Sequence, residues 1–84
     1  MKAKLQNVKR IPITSEYIRL DALLKFASIA SSGGEAKALI QNGGVFVGGE
    51  RCTMRGKKIK DGEIVRYGSA TLIVKRQDEQ LRTN

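Results

Sequence analysis

Arg51, Arg55, Lys57, Lys58 and Lys60 fall within ten consecutive residues that contain no Asp or Glu. Cations gathered in this way suit phosphate: each one set against a phosphate releases condensed counterions, giving affinity that falls steeply with salt. A solvated loop and a dock for an acidic protein are the alternatives for this cluster, although Gly56 keeps it supple and no carboxylate dilutes it. Ser32-Gly33-Gly34 offers a second phosphate site, because it opens a predicted helix where free N–H groups meet the positive end of the helix dipole. Two glycines there cost roughly 1 kcal/mol each if interior, but they remove side chains that would hold a phosphate off. Tight packing of the turn against the next hairpin would explain them equally well. Lys37 lies about one turn further on, and Arg19 opens the helix before it, so both could flank one groove. The G-x-x-x-x-G-K-[ST] spacing of a nucleotide-binding loop is absent.

Other chemistry has few residues to work with. The chain has no His and a single Cys52, which excludes the usual zinc sites, the Ser-His and Cys-His nucleophile pairs and an internal disulfide. Among the carboxylates, Asp61 reads as a turn residue and Glu50 as a strand-edge charge, and with Asp21 and Glu63 they form no catalytic pair. No enzymatic activity, cofactor or metal is expected. At 84 residues the chain suits one domain, and its formal charge of +8 favours a polyanion. Two Phe, two Tyr and no Trp predict an aliphatic core and little capacity for stacking single-stranded bases. No apolar run approaches the roughly 20 residues that cross a bilayer, and Met1 to Arg10 lacks the apolar stretch of a signal peptide, so a cytoplasmic protein without a membrane partner is expected.

The elements that must position these residues follow from periodicity. Leu5 to Ile13 reads as an edge strand or extended arm, since Pro12 argues against a helix or a central strand. Leu20, Leu23, Leu24 and Ala27 have helical spacing, predicting a helix that starts around Tyr17 to Arg19, stops near Ile29 and turns Arg19, Asp21 and Lys25 away from the core. Ser32 and Glu35 form a capping-box pattern for a second helix with Ala36, Leu39 and Ile40 inward, closed by Asn42 and Gly43. Val45 to Val47, Gly48-Gly49 and Glu50 to Thr53 read as a hairpin. Met54 to Lys60 reads as a basic segment, Asp61-Gly62 as a turn, and Ile64 to Tyr67 with Thr71 to Val74 as a second hairpin around Gly68-Ser69. The tail from Gln77 is polar enough to fray. The expected class is α+β: two short packed helices followed by β-hairpins forming a small antiparallel or mixed sheet.

Arg19-Leu20-Asp21, Ser31-Ser32-Gly33-Gly34-Glu35-Ala36-Lys37, Gly44-Val45-Phe46-Val47-Gly48-Gly49 and Asp61-Gly62-Glu63-Ile64-Val65 stand in an order that resembles the RNA-binding domain named after ribosomal small-subunit protein four. That family's αL motif is two short helices and a hairpin, and the resemblance covers about Ile18 to Val65. Ser-Gly-Gly-Glu-Ala-Lys followed by Arg55-Gly56-Lys57-Lys58 is similar to the small stand-alone bacterial branch typified by YaaA and YbcJ. The resemblance implies RNA contacts from Arg19, Ser32, Lys37 and the segment after the hairpin, with Lys57 and Lys58 foremost. Gly33 stands where the wider family often has Arg, and Gly48-Gly49 where it often has Asn-Gly, so affinity or RNA choice is expected to differ.

The chain as a whole, residues 1–84, is thus expected to be one non-catalytic domain with a basic arm and a polar tail. It would bind structured RNA, ribosomal or transfer, by phosphates and shape, acting as a monomer and docking on ribosomal particles. The expected contacts are Arg19, Ser32, Gly33, Gly34, Lys37, Arg51, Arg55, Lys57, Lys58 and Lys60. A DNA-binding protein and a ribosome-associated adaptor that docks an acidic partner are the competing readings. The second helix speaks against DNA, because its start is glycine and its outer face has few groups to read base edges.

Overall fold

The computed structural model describes residues 7–77. Its elements are β1 (Asn7–Ile13), β2 (Tyr17–Arg19), α1 (Leu20–Phe26), α2 (Gly33–Gln41), β3 (Val45–Val47), β4 (Glu50–Arg51), β5 (Lys58–Lys60), β6 (Ile64–Tyr67) and β7 (Ala70–Arg76). Five strands form one mixed sheet in the order β1-β7-β6-β3-β4, and β2 pairs with β5 in a separate ribbon. β1 runs parallel to β7 at the sheet's edge, where Pro12 removes no ladder donor from a central strand. The polar tail after Gln77 and the start of the arm before Asn7 lie outside the described residues.

Alternation along the strands decides which side of the sheet the helices cover. Ile11 and Ile13 of β1, Leu72 and Val74 of β7, Val65 of β6 and Val45 of β3 are buried, and the residues between them are partly or largely exposed. Leu20, Leu23, Leu24 and Ala27 meet them from the first helix region, and Ala36 and Ile40 from α2, in one aliphatic core. Lys9, on the same side of β1, reaches across to donate from Nζ to the Ala27 carbonyl at 3.1 Å. Both predicted hairpins form: Gly48 and Gly49 take φ of 60° and 89° in the first turn, and Gly68 takes 60° in the second.

The predicted first helix differs at both ends. Tyr17–Arg19 is a strand rather than the opening turn, because Ile18 pairs with Ile59, which is fully buried, and β2 finds its backbone partners in Lys58–Lys60. The segment read as a basic loop therefore ends in β5. At the other end α1 stops at Phe26, with Ser28 left-handed at φ 64°. Ser28 N–H donates to the Lys25 carbonyl and Ile29 N–H to that of Leu24, a Schellman closure. α2 closes in the same way with Gly43 at φ 87°, the position the sequence marks as its end.

Candidate nucleic-acid interface

Asp21 is the residue around which the interface is built. The helical pattern turns it outward, yet it is only 7% exposed. Its Oδ1 accepts from the Ala22 N–H at 2.8 Å and from Arg19 Nε at 3.2 Å, while Oδ2 accepts from Arg19 Nη2 at 3.2 Å and Arg55 Nε at 2.9 Å. Burial raises the Asp21 pKa, but the hydrogen bonds from Arg55 and the Ala22 N–H and the charge of Arg19 outweigh it and hold the carboxyl below its ordinary value. One ionised carboxylate thus orients two guanidinium groups and neutralises one. Their side chains stay 54% and 40% exposed, and of the roughly five N–H donors on each, Arg19 commits two and Arg55 one to Asp21.

The basic segment is fastened to the start of α1 through its backbone. Leu20 N–H donates to the Lys57 carbonyl at 2.8 Å and Asp21 N–H to that of Arg55 at 3.1 Å, while Lys57 N–H closes a turn onto Met54. Two donors at the start of the helix are satisfied in this way, and Arg19 at the N-cap supplies no side-chain cap. Met54 to Lys57 is therefore docked by its backbone on the helix start, although Gly56 suggests a supple segment, while Met54, Gly56 and Lys57 stay exposed.

Beside this network opens a groove of about 520 Å³, with Arg19, Asp21 and Arg55 at one side and Ala22, Lys25 and Phe26 of α1 along it. Gly33, the first residue of α2, completes the lining; a Cβ there would stand 3.9 Å from Arg55 Nη2. At Gly34 the nearest atom to such a Cβ would be Ser32 Oγ, also at 3.9 Å. At both positions a Cβ would make only ordinary contact, so close packing against the hairpin does not account for the two glycines. Ser32 caps α2 as expected by accepting from Glu35 N–H at 3.1 Å, which leaves its hydroxyl proton to donate. The reciprocal half of the capping box is displaced: Glu35 accepts from the N–H and Oγ of Ser31, not from Ser32, and this holds the Glu35 carboxyl below its ordinary value.

The β2–β5 ribbon extends the basic surface. Its register pairs Tyr17 with Lys60 and Arg19 with Lys58, so these four side chains share one face while Ile18 and Ile59 take the other. Lys58 Nζ sits 4.9 Å from the Tyr17 ring centroid.

Of the expected contacts, Arg19, Gly33 and Arg55 meet in the groove, Lys58 stands opposite Arg19 on the ribbon with Lys60 two residues further along the same face, and Lys57, Ser32 and Gly34 border the groove residues in the chain. Lys37 is exposed one turn along α2 from Gly33 and stands outside the groove. Arg51 does not belong to this surface. Its side chain lies over Phe46 at 5.4 Å and against Gly43, beyond the far end of α2, because β4 returns along β3 and carries it away from the rest of the cluster. Asp21, Lys25, Tyr17 and Phe26 are the contributors that residue patterns missed. Asp21 had a signal, two residues after Arg19 in a first helical turn, but its second partner comes from 34 residues further along the chain. Phe26 is 60% exposed beside the groove and Met54 66%, and nothing in their types foretold it.

No curated protein matches the chain. The family model described as S4 domain matches residues 11–75, which takes in both helices, the β2–β5 ribbon, β3, β4, β6, the end of β1 and all but the last residue of β7. S4 domains in general bind RNA and are not catalytic. With the match running through Arg19, Asp21, Gly33 and Arg55, the chain belongs to the S4 domain family.

Proposed function

We propose that this chain is a non-catalytic module that grips structured RNA, ribosomal or transfer, through the groove and the adjoining ribbon, and that it works as a cytoplasmic monomer of the stand-alone bacterial branch. The observation that carries this reading is Asp21 holding Arg19 and Arg55 beside the open start of α2. Two guanidinium groups set by a common carboxylate, a helix start free of side chains and the cations of β5 form a fixed array of donors. A fixed array suits the regular phosphates of a folded RNA better than a flexible strand, and it offers no pattern for reading bases. Ribosomal particles are the expected setting. Among the described residues no helix is long and apolar enough to cross a membrane.

Crosslinking in cells followed by sequencing of the bound RNA tests this, with a Lys57→Ala, Lys58→Ala, Lys60→Ala triple variant as control. Enrichment of one ribosomal or transfer RNA region, lost in the variant, is the expected result. Diffuse recovery that the substitutions do not change would overturn it, as would an equal loss of affinity in the variant for a folded RNA and for an unstructured RNA of the same length.

A further inference from the structure

The side of the five-stranded sheet turned away from the helices carries a surface unrelated to the groove. Strand register sets Thr71, Arg66, Phe46 and Arg51 in one row across β7, β6, β3 and β4, with Val8 of β1 extending it. Five strands at about 4.8 Å spacing make this row about 19 Å long. Neighbouring rows add Arg10, Ile73 and Ile64, then Lys75. Arg10, Arg51, Arg66 and Lys75 are all exposed there, and the strands place no carboxylate on this side among the described residues: Glu50, the acidic residue of β4, is opposite Val47 on the other face. Phe46 lies between Arg66 and Arg51 in the row, with the Arg51 guanidinium 5.4 Å from its ring centroid. Beside it is a cavity of about 420 Å³ lined by Phe46, Arg66, Gly49 and Gly68, and a Cβ at either glycine would meet no atom within 4 Å.

We infer that this face binds a short single-stranded stretch of RNA, with one base in the Phe46 cavity and its phosphates along Arg10, Arg66 and Lys75. The four cations, beside which the described strands place no carboxylate, select a polyanion and repel a second copy of the same face. The aromatic–guanidinium pair selects a planar ring: bases stack on Phe and on Arg planes, and every nucleotide brings such a ring with its phosphate, whereas a run of Asp and Glu brings charge alone. The sheet's opposite side is filled by the helices, so this surface and the groove can hold two parts of one RNA, a folded element and an adjoining single strand.

The test is a titration of the ¹⁵N-labelled full chain with an unstructured RNA of about 12 nucleotides, within the span single-strand sites cover, and separately with a folded hairpin. Amide shifts at Phe46, Arg51, Arg66 and Thr71 are expected with the single strand. Phe46→Leu and Arg66→Gln should each weaken it about ten-fold while hairpin affinity stays within about two-fold. Arg66 is exposed, so its variant tests the face even if Phe46→Leu misfolds by circular dichroism. Shifts confined to groove residues such as Arg19 and Arg55, unchanged single-strand affinity in Arg66→Gln, or equally strong binding of a polyglutamate peptide or anionic lipid vesicles to this face would overturn the inference. Loss of hairpin binding with the sheet-face shifts intact would count against the groove alone.

Discussion

Asp21 ties the acid stability of the fold to the geometry of the groove. Its folded carboxyl lies below the ordinary value of 3.8, so ionisation stabilises the native state throughout the range above that value. The contribution is lost as pH falls through the lowered folded value, when the native state too must take up the proton. Asp21→Asn keeps the shape but gives up the charge, and it should cost about 1–3 kcal/mol near neutral pH, the scale of hydrogen bonds to a charged group. Denaturant melts of parent and variant should converge as pH drops below 3.8. A gap that stays constant across that range would mean that the acceptor oxygen replaced by an amide NH2, not ionisation, makes Asp21 useful. Tyr17 was hidden for a related reason. Helical periodicity swept it into α1, whereas pairing with Lys60 puts it beside Lys58 on an exposed strand face.

The two helices end in the same closure with different residues. Gly43 adopts the left-handed position after α2 freely, while Ser28 must adopt it after α1 with a Cβ that crowds the neighbouring carbonyl. Ser28→Gly should therefore raise stability by about 1 kcal/mol, read as a rise in melting temperature. A fall would mean that the serine side chain contributes more than its strain costs. At the start of α1, the Lys57 and Arg55 carbonyls stand in for a side-chain cap, so the helix and the basic segment should form together. Hydrogen exchange at Leu20 and Asp21 should then slow and quicken with exchange in β5. Independent exchange in the two segments would contradict that coupling. The second helix was legible to its caps because Ser32, Asn42 and Gly43 act within their own turn of chain.

For the molecule as a whole, a formal charge of +8 makes RNA affinity depend on salt, but the cations are divided between two surfaces. Lys58→Ala should lower the slope of log affinity against log salt for a folded RNA by about 0.7–0.9, the contribution of one phosphate contact. Arg51→Ala should leave that slope unchanged, because β4 carries Arg51 to the sheet's outer side. Equal effects from the two variants would mean that the charge acts as a diffuse field and that the division has no functional meaning.

The sequence by itself determined what depends on near neighbours and on composition: the aliphatic core, the caps of α2, the two glycine-turned hairpins, the edge position of a strand containing Pro12, and the preference for a polyanion. The family signature was also legible, since its motifs are short and ordered along the chain. Tertiary structure decided which cations act together. Five of them look like one cluster between Arg51 and Lys60, yet β4 and β5 belong to different sheets, so Arg51 faces away while Lys58 and Lys60 join Arg19. It also decided that Asp21 is buried, since the Arg55 that helps hold it there is supplied by a distant segment whose backbone docks on the same helical turn. Period and propensity describe a residue's neighbours along the chain, whereas strand register and loop docking join residues far apart in it.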